Sequence, residues 1–348
     1  RSSMPTGPMP SLSAMRLLLL GSLAASKALS HAQSGMRTHS WEQHQLNGRA
    51  PDGMGRRMLP AMELVASTSP MMLRPTSHVA DRMAAPMMTV PPIQPLLLSA
   101  FGPPLLGFIR SEYGVSYAYG GAMALTGALA MAYAPHKLAA AHALALTAYG
   151  IRLNIFLLYR ELSIPYFRAM RERIETKAPK RLSRTPFIVS CGLLYFCMGA
   201  PLRLTAMAAP TPVAAVAVGC MYVGFGIAAL GDLVKTVSKA REGESSLVTA
   251  FPFSVLRHPN YTGEMFGWTA SVVAAIASAV TAGVGFKSAA AWIGASLFGV
   301  LGINFVLAQA ATGLETRQRD KYGETEEYKR WVSRSWAGVT LPPKPKQS

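Results

Sequence analysis

The sequence predicts an all-α fold, a polytopic transmembrane helical bundle of about six to seven spans preceded by a disordered N-terminal presequence. Three observations predict it. Half of the 348 residues are hydrophobic, only 15% are charged and the mean hydropathy is +0.24, whereas soluble chains carry about 25% charged residues. The apolar residues collect into runs of membrane-spanning length. The basic residues behind a formal net charge of +17 gather between those runs. That distribution points to membrane orientation and to a lipid bilayer as partner, and argues against nucleic acid.

Residues 1–92 differ from the rest. Met15-Arg16 opens a leucine run, Leu17 to Leu20, followed by small residues through Ser30. This reads as a signal-peptide core, too short to span a bilayer. From His31 to Pro92 the chain is rich in Met, Ser, Pro and Arg and poor in acids, like an organellar transit peptide. The order of the two suggests a two-part presequence directed to a plastid membrane. The endoplasmic reticulum is the alternative destination. Residues 93–348 form the transmembrane domain.

Leu96–Ile109 is apolar but short and broken by Pro103-Pro104, so it is re-entrant, interfacial or a bent span. Six clearer spans follow: Val115–Ala134, Leu138–Tyr159, Phe187–Met207, Val213–Gly231, Phe266–Phe286 and Ala290–Ala310. Each has about 19–22 residues, enough for ~30 Å of hydrocarbon at 1.5 Å per residue. Their many Gly, Ala and Ser residues suit close helix packing in lipid. Six spans place the basic segments Arg160–Arg184, Lys235–His258 and Arg317–Arg334 on one face, with Pro135–Lys137, Ala208–Pro212 and Lys287–Ala289 opposite. The positive-inside rule assigns the basic face to the cytosol-like side.

The densest chemistry lies at 256–268, Leu-Arg-His-Pro-Asn-Tyr-Thr-Gly-Glu-Met-Phe-Gly-Trp. Pro259 fits the first turn of a helix, where its missing N–H costs nothing. Asn260 and Glu264 then share one face, and Tyr261, Glu264 and Trp268 continue a stripe. Free N–H groups at that helix start, beside Arg257 and His258, would seat an anion. A carboxylate at the mouth of a membrane helix is expensive without a partner.

Other spans carry polar residues too. Tyr149, Arg152 and Asn154 sit inside Leu138–Tyr159. Arg152 either snorkels to the interface or lines a polar pocket with Tyr149. Asp232 ends its span, with Lys235 and Lys239 beyond it at helical spacing, either as an ion pair or as a ligand clamp. The tail carries Glu315, Arg319, Tyr322, Tyr328 and Lys329 in a charged amphipathic helix interrupted near Gly323, with Trp331 and Trp336 suited to a membrane interface. Cys191, Cys197 and Cys220 have no metal-ligand spacing and read as core residues. A soluble dinucleotide fingerprint, GxGxxG after a strand, is absent from the sequence.

The string Arg257-His258-Pro259-Asn260-Tyr261-x-Gly263-Glu264 resembles the C-terminal signature of the steroid 5-alpha-reductase-like membrane family, including its uncharacterised branch. Tyr149-Gly-Ile-Arg152-Leu153 with Arg160, then Asp232-x-x-Lys235, then Glu315, Tyr328-Lys329 and the closing Leu341-Pro342-Pro343 resemble further family features, in order. The resemblance covers roughly residues 96–344. It implies a bundle that binds NADPH in its cytosolic half and reduces an activated C=C bond in a lipid, sterol or isoprenoid substrate. It puts Asn260 and Glu264 at the nicotinamide end. Asp232, Lys239, Arg257 and His258 would hold phosphates and ribose, with Arg152, Lys235, Tyr261 and Tyr328 completing the cofactor-binding set. Tyr149 matches the tyrosine that donates to the substrate carbonyl. The family's glutamate partner for that tyrosine has no clean match; Glu112 is the nearest acid, and the role is not carried over. No metal is implied. Membrane methyltransferases carry a similar RHPxYxG string and an acidic pair, for which Glu326-Glu327 would serve, with S-adenosylmethionine in place of NADPH. A non-catalytic lipid-binding member of the family is the third reading.

Overall fold

The computed structural model describes residues 90–342, apart from 244 and 282–285. The expected presequence, through residue 89, lies outside the described residues. Among those described there are nine α-helices and no strand: α1 (Ile93–Phe101), α2 (Tyr117–Ala132), α3 (Lys137–Ser163), α4 (Pro165–Thr176), α5 (Thr185–Met207), α6 (Pro212–Glu242), α7 (Pro259–Thr281), α8 (Phe286–Tyr322) and α9 (Glu326–Arg334). Five of them, α3, α5, α6, α7 and α8, are long and apolar enough to cross a membrane. The chain is thus a polytopic helical membrane protein.

Several helices outrun their apolar runs. Helix α6 continues to Glu242 and α8 to Tyr322, so Asp232, Lys235 and Lys239 stand on a rigid rod that leaves the hydrocarbon. Polarity does not end a helix; a cap or a breaker does. Gly243, at φ 93°, ends α6. Helix α2 is shorter than expected at 16 residues, about 24 Å. It starts two residues late, after the separate 3-10 turn Ser111–Gly114 that packs on Gly107, and ends two residues early.

The Leu96–Ile109 stretch is a bent crossing. Pro103 ends the α-helical hydrogen bonding, and the chain continues as a 3-10 helix over Pro103–Phe108. It runs antiparallel to α5 along its whole length: Arg203 bonds the Pro91 carbonyl, Phe101 fills the space at Gly192, and Arg184 reaches the Gly107 carbonyl. At one end of the bundle His136 Nε2 meets the Ala208 carbonyl at 2.8 Å, which brings two of the short loops together. The basic segments collect at the other end, as the loop charges predict.

Three helix pairs pack at backbone distance, α5 with α8 at Gly299 and two pairs beside the site. A Cβ on Gly150 of α3 would stand 2.3 Å from the Gly120 carbonyl of α2, and one on Gly224 of α6 would stand 2.7 Å from the Gly263 carbonyl of α7. Glycine is required at both crossings. They set Tyr149 and Glu264, each one position from a crossing glycine, deep in the core.

A polar lock joins three helices in the opposite half. The fully buried His142 of α3 meets Thr205 of α5 at 3.0 Å and Ser271 of α7 at 2.8 Å. Thr205 gives its own proton to the Pro201 carbonyl. It therefore accepts from His142 Nδ1–H, which leaves Nε2 to accept from Ser271. Every polar group in the chain of bonds is satisfied by a neutral imidazole.

Two measurements test this architecture. Single cysteines placed at Arg173, Lys239 and Arg330 will label from one side of the membrane, and one at Ala209 from the other; mixed accessibility among the first three would break the topology. His142→Ala leaves a cavity and strands the Ser271 hydroxyl, and should cost at least about 2 kcal/mol. That cost will appear as a lowered Tm in detergent; an unchanged Tm would remove the lock.

Candidate functional site

The site is built on the first two turns of α7. Pro259 opens the helix, and the Thr262 amide bonds the His258 carbonyl at 3.0 Å. Asn260 and Glu264 share the helix face their spacing gives them. The helix start is closed over: Gly231 of α6 lies so near that a Cβ there would be 3.1 Å from the Asn260 nitrogen.

Glu264 points into the core and is 7% exposed. Trp268 Nε1–H donates to Tyr119 Oη at 2.8 Å, and Tyr119 Oη–H donates to Glu264 Oε2 at 3.2 Å. Tyr149 completes this cluster. Its ring stacks on Phe225 at 4.4 Å and meets the Trp268 ring edge-on at 5.5 Å. Its hydroxyl is buried and meets no partner at full hydrogen-bond geometry, yet it lies close enough to the Glu264 carboxylate and the Tyr119 hydroxyl to interact with both.

Above Tyr149 the polar groups continue toward the basic end. Arg152 stands 5.8 Å over the Tyr149 ring and pairs with Asp232 at 2.6 Å through Nη1. Its Nη2 is buried without a partner. Asn260 borders the same carboxylate. The two readings of Arg152 and Asp232 resolve into one interhelical pair that lines the core. Beyond it Lys235, Lys239, Arg317 and Lys321 line a cleft of about 190 Å³ with Ser246, Gln318 and Tyr322. Among the described residues no carboxylate lines it, and the Gln318 amide oxygen is buried without a partner.

Arg257 and His258 face elsewhere. Arg257 pairs with Glu315 at 3.1 Å and donates to the carbonyls of Val332 and Ser335. His258 is fully buried, with Nε2 on Glu315 at 2.7 Å. The Arg257 amide bonds the Trp336 carbonyl, and the Trp336 amide bonds the Val255 carbonyl. The dipeptide is thus a latch for the C-terminal strap. The strap runs on to Leu341, whose amide bonds Thr312 Oγ1 at 2.7 Å and whose side chain packs on the main core beside Tyr261 and Leu157. Tyr328 sits in a separate small cluster with Val248, Phe253 and Trp331 that backs this strap. Glu326 and Glu327 are exposed in the first turn of α9, where Glu326 pairs with Lys329.

Glu112 lies with a different set of residues. It faces the buried Arg171 at 3.6 Å, and Arg171 pairs more closely with Glu161. Burial pushes the Glu112 carboxyl up, and Arg171 offsets this in part. Burial also acts to raise Glu175, but the Ser111 amide and Arg184 outweigh it and hold that carboxyl below its ordinary range. The residue that stands beside Tyr149 from an early helix is Tyr119. No motif marks it in the sequence; its only signal is a polar-tipped aromatic among the small residues of α2.

A family model described as protein of unknown function (DUF1295) matches residues 108–335. Neither a curated protein nor a solved structure matches the chain.

The latch makes its own prediction. Glu315→Gln and Arg257→Ala each remove a charged hydrogen bond worth roughly 1.5–3 kcal/mol. Amide exchange across residues 335–341 should then accelerate by about tenfold or more, read by mass spectrometry. Exchange at the wild-type rate in both variants would show that the strap is held by other contacts.

Proposed function

We propose that this chain, which belongs to the DUF1295 family associated with steroid 5-alpha-reductase-like membrane proteins, is an NADPH-dependent reductase of an activated C=C bond in a hydrophobic lipid, sterol or isoprenoid substrate. The observation that carries the reading is the buried hydroxyl of Tyr149, which has no well-formed hydrogen bond and borders the Trp268–Tyr119–Glu264 chain of hydrogen bonds.

The residues fit the cofactor. Four cations of the cleft suit a dinucleotide's phosphates, and the orphaned Arg152 Nη2 and Gln318 oxygen lie on the way inward. Asn260 and Glu264 present an amide and a carboxylate to a nicotinamide carboxamide. When bound, NADPH supplies a hydride to the β-carbon of the alkene. The chain's part is to stabilise the charge that then builds on the conjugated carbonyl oxygen. Tyr149 Oη–H is a preorganised donor for that oxygen, in a site from which Phe225 and Trp268 exclude water. Tyr119 donates to Glu264, and both groups border the Tyr149 hydroxyl. Arg257 and His258 act at one remove, through Glu315 and the strap over the basic end of the core.

Titration of purified protein with NADPH and with S-adenosylmethionine tests the class. Saturable NADPH binding is expected, and at 100 times its Kd it should stabilise the fold by about 2.7 kcal/mol. Tyr149→Phe should leave that binding nearly intact while lowering turnover of an enone lipid, because its donor acts only as charge develops. Lys235→Ala and Arg317→Ala should each weaken NADPH, less so at high salt. Binding of S-adenosylmethionine alone would overturn the reading in favour of methyl transfer.

A further inference from the structure

The segment between α3 and α5 does no work in the reading above, yet it is tightly built. Helix α4 is clamped to the ends of the bundle by two ion networks. Arg171, 5% exposed, pairs with Glu161 at 2.5 Å, and both Tyr113 and Tyr117 donate to the same carboxylate. Glu175 pairs with Arg184 at 2.7 Å and accepts from the Ser111 amide at 2.8 Å. These contacts consume Glu161, Glu175 and both buried arginines. What remains outside is lopsided. Arg168, Arg173, Lys180 and Arg181 are exposed and make no ion pair among the described residues; Glu172 is the one exposed acid among them.

The apolar neighbours fix the depth of this surface. Ile151, Ile155, Leu158 and Leu162 form an exposed stripe along α3, and Leu162 is 67% exposed at its end. Leu182, 83% exposed, lies seven residues before the exposed Val189 of α5. In a membrane protein such stripes face hydrocarbon, and their ends mark where headgroups begin. The four cations sit between the two stripe ends in the chain, Arg168 and Arg173 on helix α4 and Lys180 and Arg181 at the turn before α5.

We propose that α4 and the turn at 180–182 form a binding surface for anionic phospholipid headgroups of the leaflet on the basic side. The cations meet the phosphates while Leu162 and Leu182 enter the acyl boundary beside them. Long basic side chains reach from apolar surface to headgroup phosphate in this way. The fixed platform distinguishes this from a loose basic loop, because α4 cannot turn its cations toward water without breaking both ion networks.

The test titrates the full chain in detergent with phosphatidylglycerol and with phosphatidylcholine, counting bound lipids by native mass spectrometry. Wild type should prefer phosphatidylglycerol by about tenfold or more, with the preference falling as salt rises, since each basic side chain near a lipid surface adds roughly fivefold. A variant with Arg168, Arg173, Lys180 and Arg181 all changed to Gln should lose the preference and keep binding phosphatidylcholine. If that variant does not fold, Arg181→Gln alone should lower the preference by about fivefold. No preference in wild type, or an undiminished one in the variants, overturns the proposal. Neither outcome depends on NADPH, so the proposed reaction stands or falls separately.

Discussion

A carboxylate inside a membrane bundle must be given partners, and much of this structure follows from supplying them to Glu264. A charge at the centre of a membrane helix costs about 2.5–3.5 kcal/mol even on the most lenient scales. Glu264 meets that cost with a phenol from α2, itself anchored by the indole of Trp268 one turn along α7. Both contacts join α2 to α7, and Tyr149 of α3 and Phe225 of α6 pack around them, so α2 must lie close on α3 and α6 close on α7. The glycines at 120, 150, 224 and 263 allow that approach, and any side chain at the two crossings would collide with backbone. The small residues and the polar cluster are therefore one design: the first brings the helices near enough for the second to be satisfied.

Five of the six expected spans, the basic end and the shared face of Asn260 and Glu264 were legible in the sequence because each rests on local spacing. Helix ends were less so. Asp232, Lys235 and Lys239 read as residues after a span, whereas α6 carries them as an unbroken rod to Gly243. Hydropathy reports where lipid ends, and helices end elsewhere. Leu96–Ile109 stayed open among three readings until its partners along α5 were known, since nothing local says which way a proline-broken segment runs.

Arg257 and His258 are the sharpest case. In sequence they stand beside a helix start with free donors, which invites an anion. Their partners come from 57 to 78 positions further on, at Glu315, Val332 and Ser335. No spacing rule reaches that far. Tyr119 escaped for the same reason in reverse: its partner Glu264 lies 145 positions away, and tyrosine in a membrane helix is usually read as packing. The cleft cations Arg317 and Lys321 were visible only as members of a charged tail.

Hydrogen-bond satisfaction separates what holds this fold from what it holds ready. The His142 lock is as polar and as buried as the Tyr149 cluster, yet each of its donors has an acceptor and its tautomer is fixed by its neighbours. Nothing is left over for a ligand, so it is a structural joint. Ser278 Oγ lacks a partner too, but it stands alone among alanines, with no second group converging on the same space. Buried side-chain atoms without a partner also occur at Glu112, Asn154, Arg203, His258 and Asn304; those of Tyr149, Arg152 and Gln318 differ in belonging to the candidate site and to the cleft beyond it. Leaving one such atom unpaired costs about 1–3 kcal/mol. A bound molecule that reaches from the cleft toward Tyr149 would give the Arg152 nitrogen and the Gln318 oxygen partners that the described residues do not supply.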